Sequence, residues 1–586
     1  MLAALRHRGP DDDGIWGDGR GGPVVGHRRL SILDPSPAGH QPMVSPDGRY
    51  VIVLNGEIYN YRTLKSDLAG RGISFRTGTD TEVLLQGYAA WGEQVLERLV
   101  GMYAFAIWDV EDRSLLLARD RFGEKPLYIA SREGRFAFAS ELGALESVPW
   151  VDRSLDREAL SLYLQYQYVP APHSIIAGVR KLPPAHAMRV GPGLRTRCWR
   201  YWDPVQISRE PQLRISRGDA EEHLSSLLDE SIRGQMVADV PLGAFLSGGI
   251  DSSLVVSRMV QQSSDQVETF TIGFDEAAFD ESRHAQEVAN HLGTRHTCER
   301  LDSQRALALV RVLPRIYGEP FADSSAIPTR LVAEVARRRV TVSLSGDGGD
   351  ELFGGYARYN WFRRTSLLSS LPSRFRPSDT LLARLPTKAE RLAALIGTRP
   401  VERYRQFVSL FSQDEARRLT GVHAELHEYS RAWASVDGQG RFRNGMLADI
   451  STYLPGAILA KVDRAAMSVS LETRAPLLDH RIAEFALRLP DEYMVGKPLL
   501  KALAERAVPR RILDRPKQGF GVPVARWLRT ELKELLLDVV RPESLRRVGI
   551  ADSEFVSSLM DAHLSGRRDY SAKLWAILVL CLWGRR

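Results

Sequence analysis

A chain of 586 residues is too long for one hydrophobic core and implies roughly two to four domains. Its 44% hydrophobic and 26% charged residues are ordinary for a soluble globular protein, and a net charge of +7 scattered along helical stretches (Arg337 to Arg339, Arg363, Arg364) argues against a nucleic-acid track. Three cysteines without CxxC spacing, Cys198, Cys298 and Cys581, exclude a disulfide scaffold or a cysteine zinc site and point to a reducing cytoplasm. The start shows no signal-peptide pattern, since Arg6, His7 and Arg8 interrupt it.

From Met1 to about Trp202 short strands and turns dominate. Candidate strands are Val51 to Leu54, Met102 to Trp108, Ser114 to Ala118, Leu127 to Ala130 and Phe136 to Ala139. Several are apolar on both faces, which implies stacked sheets or covering helices. One helix interrupts them: Thr79 or Asp80 can cap it, Glu82 lies in its first turn, and Leu84, Tyr88 and Trp91 share a face. Polar clusters sit near strand ends. His7 to Gly14 is a turn-rich loop, Gly26 to Ile32 ends in a strand-like segment bearing Arg28 and Arg29, and Asn55 and Gly56 follow an apolar strand directly. Taken alone, Asn-Gly there reads as a hairpin turn.

The Pro- and charge-rich stretch from Tyr201 to Ser216 reads as a linker, so the predicted division is 1–202, a linker at 203–216, and 217–586. Beyond it the helix Ala220 to Ile232 alternates with strands ending at Leu246, Phe274 and Gly346, as in a parallel doubly wound sheet with ligands at its carboxyl edge. The most informative stretch is SGGIDSS, Ser247 to Ser253, at the first of these strand ends. Two glycines admit a close ligand, serine hydroxyls donate, and a helix N-terminus offers free N–H groups, so the stretch predicts a pyrophosphate seat. No lysine precedes the hydroxyl residues, as a Walker loop would require, and the reading is a PP-loop that holds ATP for adenylation. Asp251, and Asp350 in the glycine loop SGDGGDE, are candidate Mg2+ ligands, because Mg2+ is held by one or two carboxylates plus phosphates. Asp280 either caps a helix or reaches the substrate. Residues from Ala357 to about Asn444 predict helical packing without clear chemistry. Leu574 to Trp583 is too short for the ~20 residues of a membrane span and predicts a buried C-terminal helix.

HRGPDDDG, HRRLSI, NGEIYN, GTDTEV and RDRFGEKPLY resemble the glutaminase domain of the asparagine synthetase family of glutamine amidotransferases. SGGIDSS, SGDGGDELFGGY, KVDRAAM, LETRAPLLD and KQGFGVP resemble that family's synthetase domain, in order and over nearly the whole chain. The resemblance implies an Ntn-type αββα sandwich followed by a PP-loop domain with helical additions. It implies glutamine, aspartate and ATP as small-molecule partners, Mg2+, no nucleic acid, no membrane, cytoplasmic location, and homodimerisation as a family expectation.

By the same resemblance Arg29 binds the glutamine α-carboxylate, Glu57 and Asp80 its α-amino group, and Asn55 with Gly56 forms the oxyanion hole. Leu246, Ser247, Gly248, Gly249, Asp251, Ser252, Ile272, Ser345 and Gly346 surround ATP, while Asp280, Tyr356, Lys461 and Arg474 face the acceptor. Asp347 and Lys517 are implied to be catalytic, Lys517 by neutralising the leaving pyrophosphate. Two departures stand out. The family nucleophile is an N-terminal cysteine preceded by nothing, whereas Met1 is followed here by Leu2, and the strand and helix that normally precede HRGPD have no counterpart; a late start or a natural loss of glutaminase activity would explain this. Asp347 stands where well-studied members have glutamate, which leaves the acceptor open to another acid, such as a sugar acid or a β-amino acid that cyclises.

Overall fold

The computed structural model describes all residues except 20, 275–279, 301–302, 365–395, 435–440 and 515–520. Its N-terminal strands are β1 (Asp12–Gly17), β2 (Val24–Arg29), β3 (Met43–Val44), β4 (Tyr50–Ile58), β5 (Gly101–Asp109), β6 (Ser114–Arg119), β7 (Tyr128–Arg132), β8 (Arg135–Ala139), β9 (Val179–Lys181), β10 (His186–Val190) and β11 (Thr196–Arg200). Six of them form an antiparallel sheet in the order β11-β10-β6-β5-β4-β3. Strand β5 shows why this sheet is covered on both sides. Its alternate residues Tyr103, Phe105 and Ile107 pack with the helices Tyr61–Ala69 and Asp80–Trp91, while Ala104, Ala106 and Trp108 pack with Val25 and Ile129 of a second layer. That layer comes in two pieces, β1–β2 and β8-β7-β9, with the helix Leu142–Glu146 resting on β7 and β8. The result is the αββα layering expected from the sequence.

Two local readings are corrected. Asn55 and Gly56 do not follow a strand or make a hairpin turn. They lie inside β4, opposite Ala104 and Tyr103, and Gly56 has a φ of 138° with its missing Cβ only 2.0 Å from the Met102 carbonyl oxygen, so no other residue fits. The Gly26 to Ile32 segment likewise starts in a strand rather than ending in one, since β2 closes at Arg29. Thr79 caps the predicted helix by accepting from the Glu82 N–H at 3.2 Å.

The C-terminal sheet is wholly parallel: β12 (Leu242–Phe245), β13 (Glu268–Gly273), β14 (Arg295–Arg300), β15 (Val342–Leu344) and β16 (Glu472–Arg474), in the order β14-β13-β12-β15-β16. The chain winds outward from β12 in both directions, so the switch point lies at the carboxyl ends of β12 and β15, where such sheets bind ligands. The expected helix at Ala220 to Ile232 runs over Arg217–Gln235, because Ser216 accepts from the Asp219 N–H and extends its start. In the arginine-rich helical region Asp449, fully buried, accepts from Arg358 Nη2 (2.7 Å) and from the hydroxyls of Tyr359 and Tyr404 (2.6 Å each). The C-terminal run forms the helix Ser571–Trp583, buried from Leu574 to Cys581. Among the described residues no helix is long and apolar enough to cross a membrane.

The two parts share one core. Tyr128, Leu145, Leu160 and Tyr163 of the N-terminal part belong to the same hydrophobic cluster as Leu246, Leu344 and Leu578. Buried charges reinforce the contact. Arg8 donates to both oxygens of Asp463 (2.8 and 2.9 Å) and to Glu141 (3.0 Å), and Arg464 lies 2.7 Å from Glu141. Glu319 accepts from Tyr128 Oη (3.0 Å) and the Ile175 N–H (2.8 Å). The stretch 203–216 holds a short helix, Pro204–Ile207, and its Leu213 N–H donates to the Arg488 carbonyl at 2.8 Å.

Candidate active sites

The first site is a cavity of about 620 Å³ between the layers of the N-terminal sandwich. Arg29, Asn55, Gly56, Glu57 and Asp80, drawn from β2, β4 and the helix Asp80–Trp91, all line it. Their side chains are already engaged. Arg29 donates to the carbonyls of Leu33 (2.9 Å), Asp34 (2.7 Å) and Ser36 (3.2 Å), which folds the 33–36 loop around the guanidinium. Asn55 Nδ2 reaches Ser140 Oγ at 3.4 Å, and Asp80 accepts from the Ile58 N–H at 2.8 Å. Glu57 faces across the molecule to Arg474, 3.4 Å away. Burial, followed for Glu57 by the nearby Asp80 charge, raises both carboxyls, Asp80 to about 6. His27 also lines the cavity; its Nε2 bonds to the Leu54 carbonyl at 2.9 Å, and burial drops its pKa to about 4, which keeps it neutral. Cysteine is missing from this lining: Cys198 and Cys298 are exposed on other strands and Cys581 is buried in the last helix.

The second site lies at the β12/β15 switch point. After β12 the chain turns through Ser247, Gly248 and Gly249 into the helix Ile250–Gln262. Gly248 has a φ of 72° and its missing Cβ would stand 2.7 Å from the backbone of His284, so the turn needs glycine. The loop is braced internally: Ser247 Oγ and Ser252 Oγ lie 3.0 Å apart, the Gly249 N–H donates to Ser247 Oγ, and the Leu246 N–H donates to Phe270. No side chain caps the helix, which leaves its N-terminal N–H groups and dipole for an anion. Ile272 is buried in β13 nearby.

Across the switch point, Gly346 packs against this helix start. A Cβ there would fall 2.7 Å from the Ser252 nitrogen and 2.9 Å from Asp251 Cβ. Gly346→Ala is therefore expected to displace the loop and lower adenylation on the order of 10²-fold, the usual cost of a misplacement near 1 Å, with the melting temperature little changed. Pyrophosphate release and a thermal melt on the same preparation check this. Asp347 Oδ2 accepts from Ser345 Oγ at 2.7 Å, and burial raises its carboxyl while Lys461 pulls it back.

Asp251 and Asp350, the two carboxylates read as Mg2+ ligands, converge on one cation. Lys497 Nζ binds Asp251 and lies 2.6 Å from Asp350. Sequence reading missed Lys497. The available signal was its place in the glycine turn before the helix Pro498–Glu505, where it adopts a left-handed conformation with φ 59°. Burial lowers its pKa, but the two aspartates outweigh burial and raise it, so it stays charged. A cation already fills the gap between two acids, and the pair fits a dication that takes its remaining ligands from phosphates. Among the described residues no group of three or more His, Cys, Asp or Glu could hold a metal ion unaided.

The remaining predicted residues divide. Tyr356 Oη donates to Glu351 Oε1 at 2.5 Å, and burial with the Asp350 charge lifts Glu351 to about 7. Lys461 Nζ binds Asp323 (2.9 Å) and Ser325 (2.7 Å), two further residues that sequence reading missed. Asp280 accepts from the N–H groups of Phe274 and Ser282, tying the end of β13 to the helix Ser282–Leu292. Arg474 is sealed in the contact between the two parts, donating to Glu472 (2.9 Å) and to the carbonyls of Gln235 and Val237. Lys517 lies outside the described residues.

The two parts of the chain match two known families. The model of the Asparagine synthase family matches residues 223–585, and that of the Glutamine amidotransferase domain matches residues 1–202. The chain belongs to the asparagine synthase family. This family member is 35% identical over 601 residues to "Asparagine synthetase [glutamine-hydrolyzing] 1" of Bacillus subtilis, covering all of this chain and 92% of the relative. It is 36% identical over 611 residues to "Putative asparagine synthetase [glutamine-hydrolyzing]" of Mycobacterium tuberculosis, with 99% and 92% covered. "Amidase chry2" of Gibberella zeae is 26% identical over 616 residues, with 96% and 90% covered. The asparagine synthase family member is thus an enzyme of the carbon–nitrogen ligase type, with a glutamine amidotransferase part and a synthase part in one chain.

Proposed function

We propose that the chain makes asparagine from aspartate, ATP and ammonia, with glutamine as the ammonia source when a nucleophile is present. The observation that carries this reading is the convergence of Asp251, Asp350 and Lys497 at a PP-loop switch point, beside the small residues Ser345 and Gly346 and the buried Asp347. ATP, when bound, supplies the activation that turns an unreactive carboxylate into an acyl-adenylate. The chain's own groups do the rest: the 247–249 turn and the helix N-terminus hold phosphate oxygens, Asp251 and Asp350 hold Mg2+, and Lys497 balances phosphate charge. At the first site Asn55 and the Gly56 N–H stabilise the oxyanion of the glutamine amide, and Glu57, Asp80 and Arg29 hold its zwitterionic end. Glu472 lines the first cavity, while its neighbour Arg474 lines a small cavity shared with Asp347, which supports passage of ammonia along this contact.

Incubating the purified chain with Mg-ATP and aspartate, with ammonium or glutamine as nitrogen source, tests the reading. Asparagine and pyrophosphate are expected with ammonium. With glutamine, asparagine is expected only where a thiol nucleophile reaches the first cavity, whose lining holds none. Pyrophosphate without asparagine, or neither product, would refute the aspartate assignment. A second reading, amide formation on another acid, draws on Asp347, one methylene shorter than the glutamate of well-studied members; pyrophosphate release with a sugar acid or a β-amino acid instead of aspartate would establish it.

A further inference from the structure

One half-buried carboxylate at the contact between the two parts, that of Glu124, has no place in the roles above. The loop that carries it is rigid. Asp120 accepts from the N–H groups of Phe122 (3.1 Å), Glu124 (2.9 Å) and Lys125 (2.9 Å), while Arg119 clamps the carbonyls of Gly123 (2.8 Å) and Lys125 (2.7 Å). This turn holds Glu124 at a fixed point against the synthase part. There Glu124 lines a cavity of about 10 Å³ with Lys125 on its own side and Ser345, Asp347, Asp463 and Arg474 on the other. A space of that volume holds a single molecule of about the size of water, and ammonia is that size.

The other polar groups of this cavity have partners. Asp347 accepts from Ser345, Asp463 is held by Arg8, and Arg474 donates to Glu472. Lys125 lies 3.8 Å from Asp463 and 3.9 Å from Glu472. The Glu124 carboxylate makes no hydrogen bond or ion pair among the described residues. Burial, then the charge of Asp120, then Asp347 and Glu472 across the contact, raise its carboxyl well above the usual range against the pull of Lys125. A carboxylate so placed is a stronger base than one in water.

We propose that Glu124, supplied by the amidotransferase part, is the proton acceptor of the amide-forming step in the synthase part. The inference rests on the aspartate and ammonia reading above. In that step the ammonia nitrogen forms a bond to the acyl carbon, the bond from that carbon to the AMP oxygen breaks, and its electron pair leaves with AMP. The nitrogen then carries one proton more than a neutral amide can hold. That proton passes to the Glu124 carboxylate and from it to solvent.

The test compares Glu124→Gln and Glu124→Asp with the wild-type full-length chain, using ammonium and hydroxylamine as nucleophiles and aspartate-dependent ATP–pyrophosphate exchange as a readout of activation. Glu124→Gln is expected to lose on the order of 10²-fold in amide formation from ammonium while exchange is unchanged, and to lose far less with hydroxylamine, whose nitrogen sheds its proton more readily. Glu124→Asp should recover part of the ammonium rate. An undiminished ammonium rate, equal losses with both nucleophiles, or a parallel loss of exchange would each overturn the proposal. Exchange by the wild-type chain tests the underlying aspartate reading separately.

Discussion

Lys497→Met is expected to abolish most pyrophosphate formation, by on the order of 10²–10³-fold, the range seen when one preorganised donor is removed from a charged site. The reason lies in what the lysine separates. Asp251 enters from the first turn of the helix Ile250–Gln262 and Asp350 from the short helix Gly349–Leu352, and without the ammonium two largely buried carboxylates would face each other. Mutual repulsion would open the switch point, and the phosphates would lose a counter-charge. Lys497→Arg keeps the charge but not the compact ammonium, and should restore only part of the rate. Pyrophosphate release at saturating Mg-ATP reads this directly. Unchanged release by the methionine variant would remove Lys497 from the phosphate site.

Arg8→Met should cost about 3–5 kcal/mol of stability, because it takes the bidentate guanidinium from the buried Asp463 and leaves Glu141 with Arg464 and His7 alone. The Arg8 side chain is only 5% exposed and that of Asp463 only 6%. Burial opposes ionisation of both acids, but Arg8 outweighs it at Asp463, and Arg464, His7 and Arg8 outweigh it at Glu141, so each is held below its ordinary range. Their contribution is present at neutral pH and is lost as pH falls through those depressed values. Denaturant unfolding at pH 7 measures the effect. Arg28→Ala, which breaks a pair whose Asp13 partner is 55% exposed, serves as the control and should change stability by less than about 1 kcal/mol. Equal effects of the two substitutions would show that Arg8 contributes no more than a surface charge.

Which features were legible follows from how strongly each was written locally. Strand β5 shows apolar residues on both faces, and β12 and β15 end in glycine turns, so their sheets and the ligand edge could be read from pattern. Strands β14 and β16 could not. β14 is the polar segment RHTCER on an exposed edge, and β16 is three residues, ETR, whose burial comes entirely from its neighbours. Strand β4 reads locally as ending at Leu54, because the turn preference of Asn55-Gly56 is overridden only by nine residues of pairing with β5. The paired acids of the second site stand in glycine loops and could be named in advance. Lys497 could not, since it lies 246 positions from Asp251 and a lone lysine resembles any solvated charge until the fold brings it there. Glu124 was hidden for the same reason: its loop was visible as a motif, but its neighbours across the contact lie more than 200 positions later in the chain.

The shared cluster that runs from Tyr128 and Leu160 to Leu344 and Leu578 carries a consequence for how such a chain can change. The boundary between the two matched families is a boundary of chemistry, not of packing. A half exchanged for that of a relative must bring the matching side of the seam with it, apolar shapes and charge partners alike. The two parts are therefore inherited as a pair, and selection on either one restrains the surface against which the other is packed.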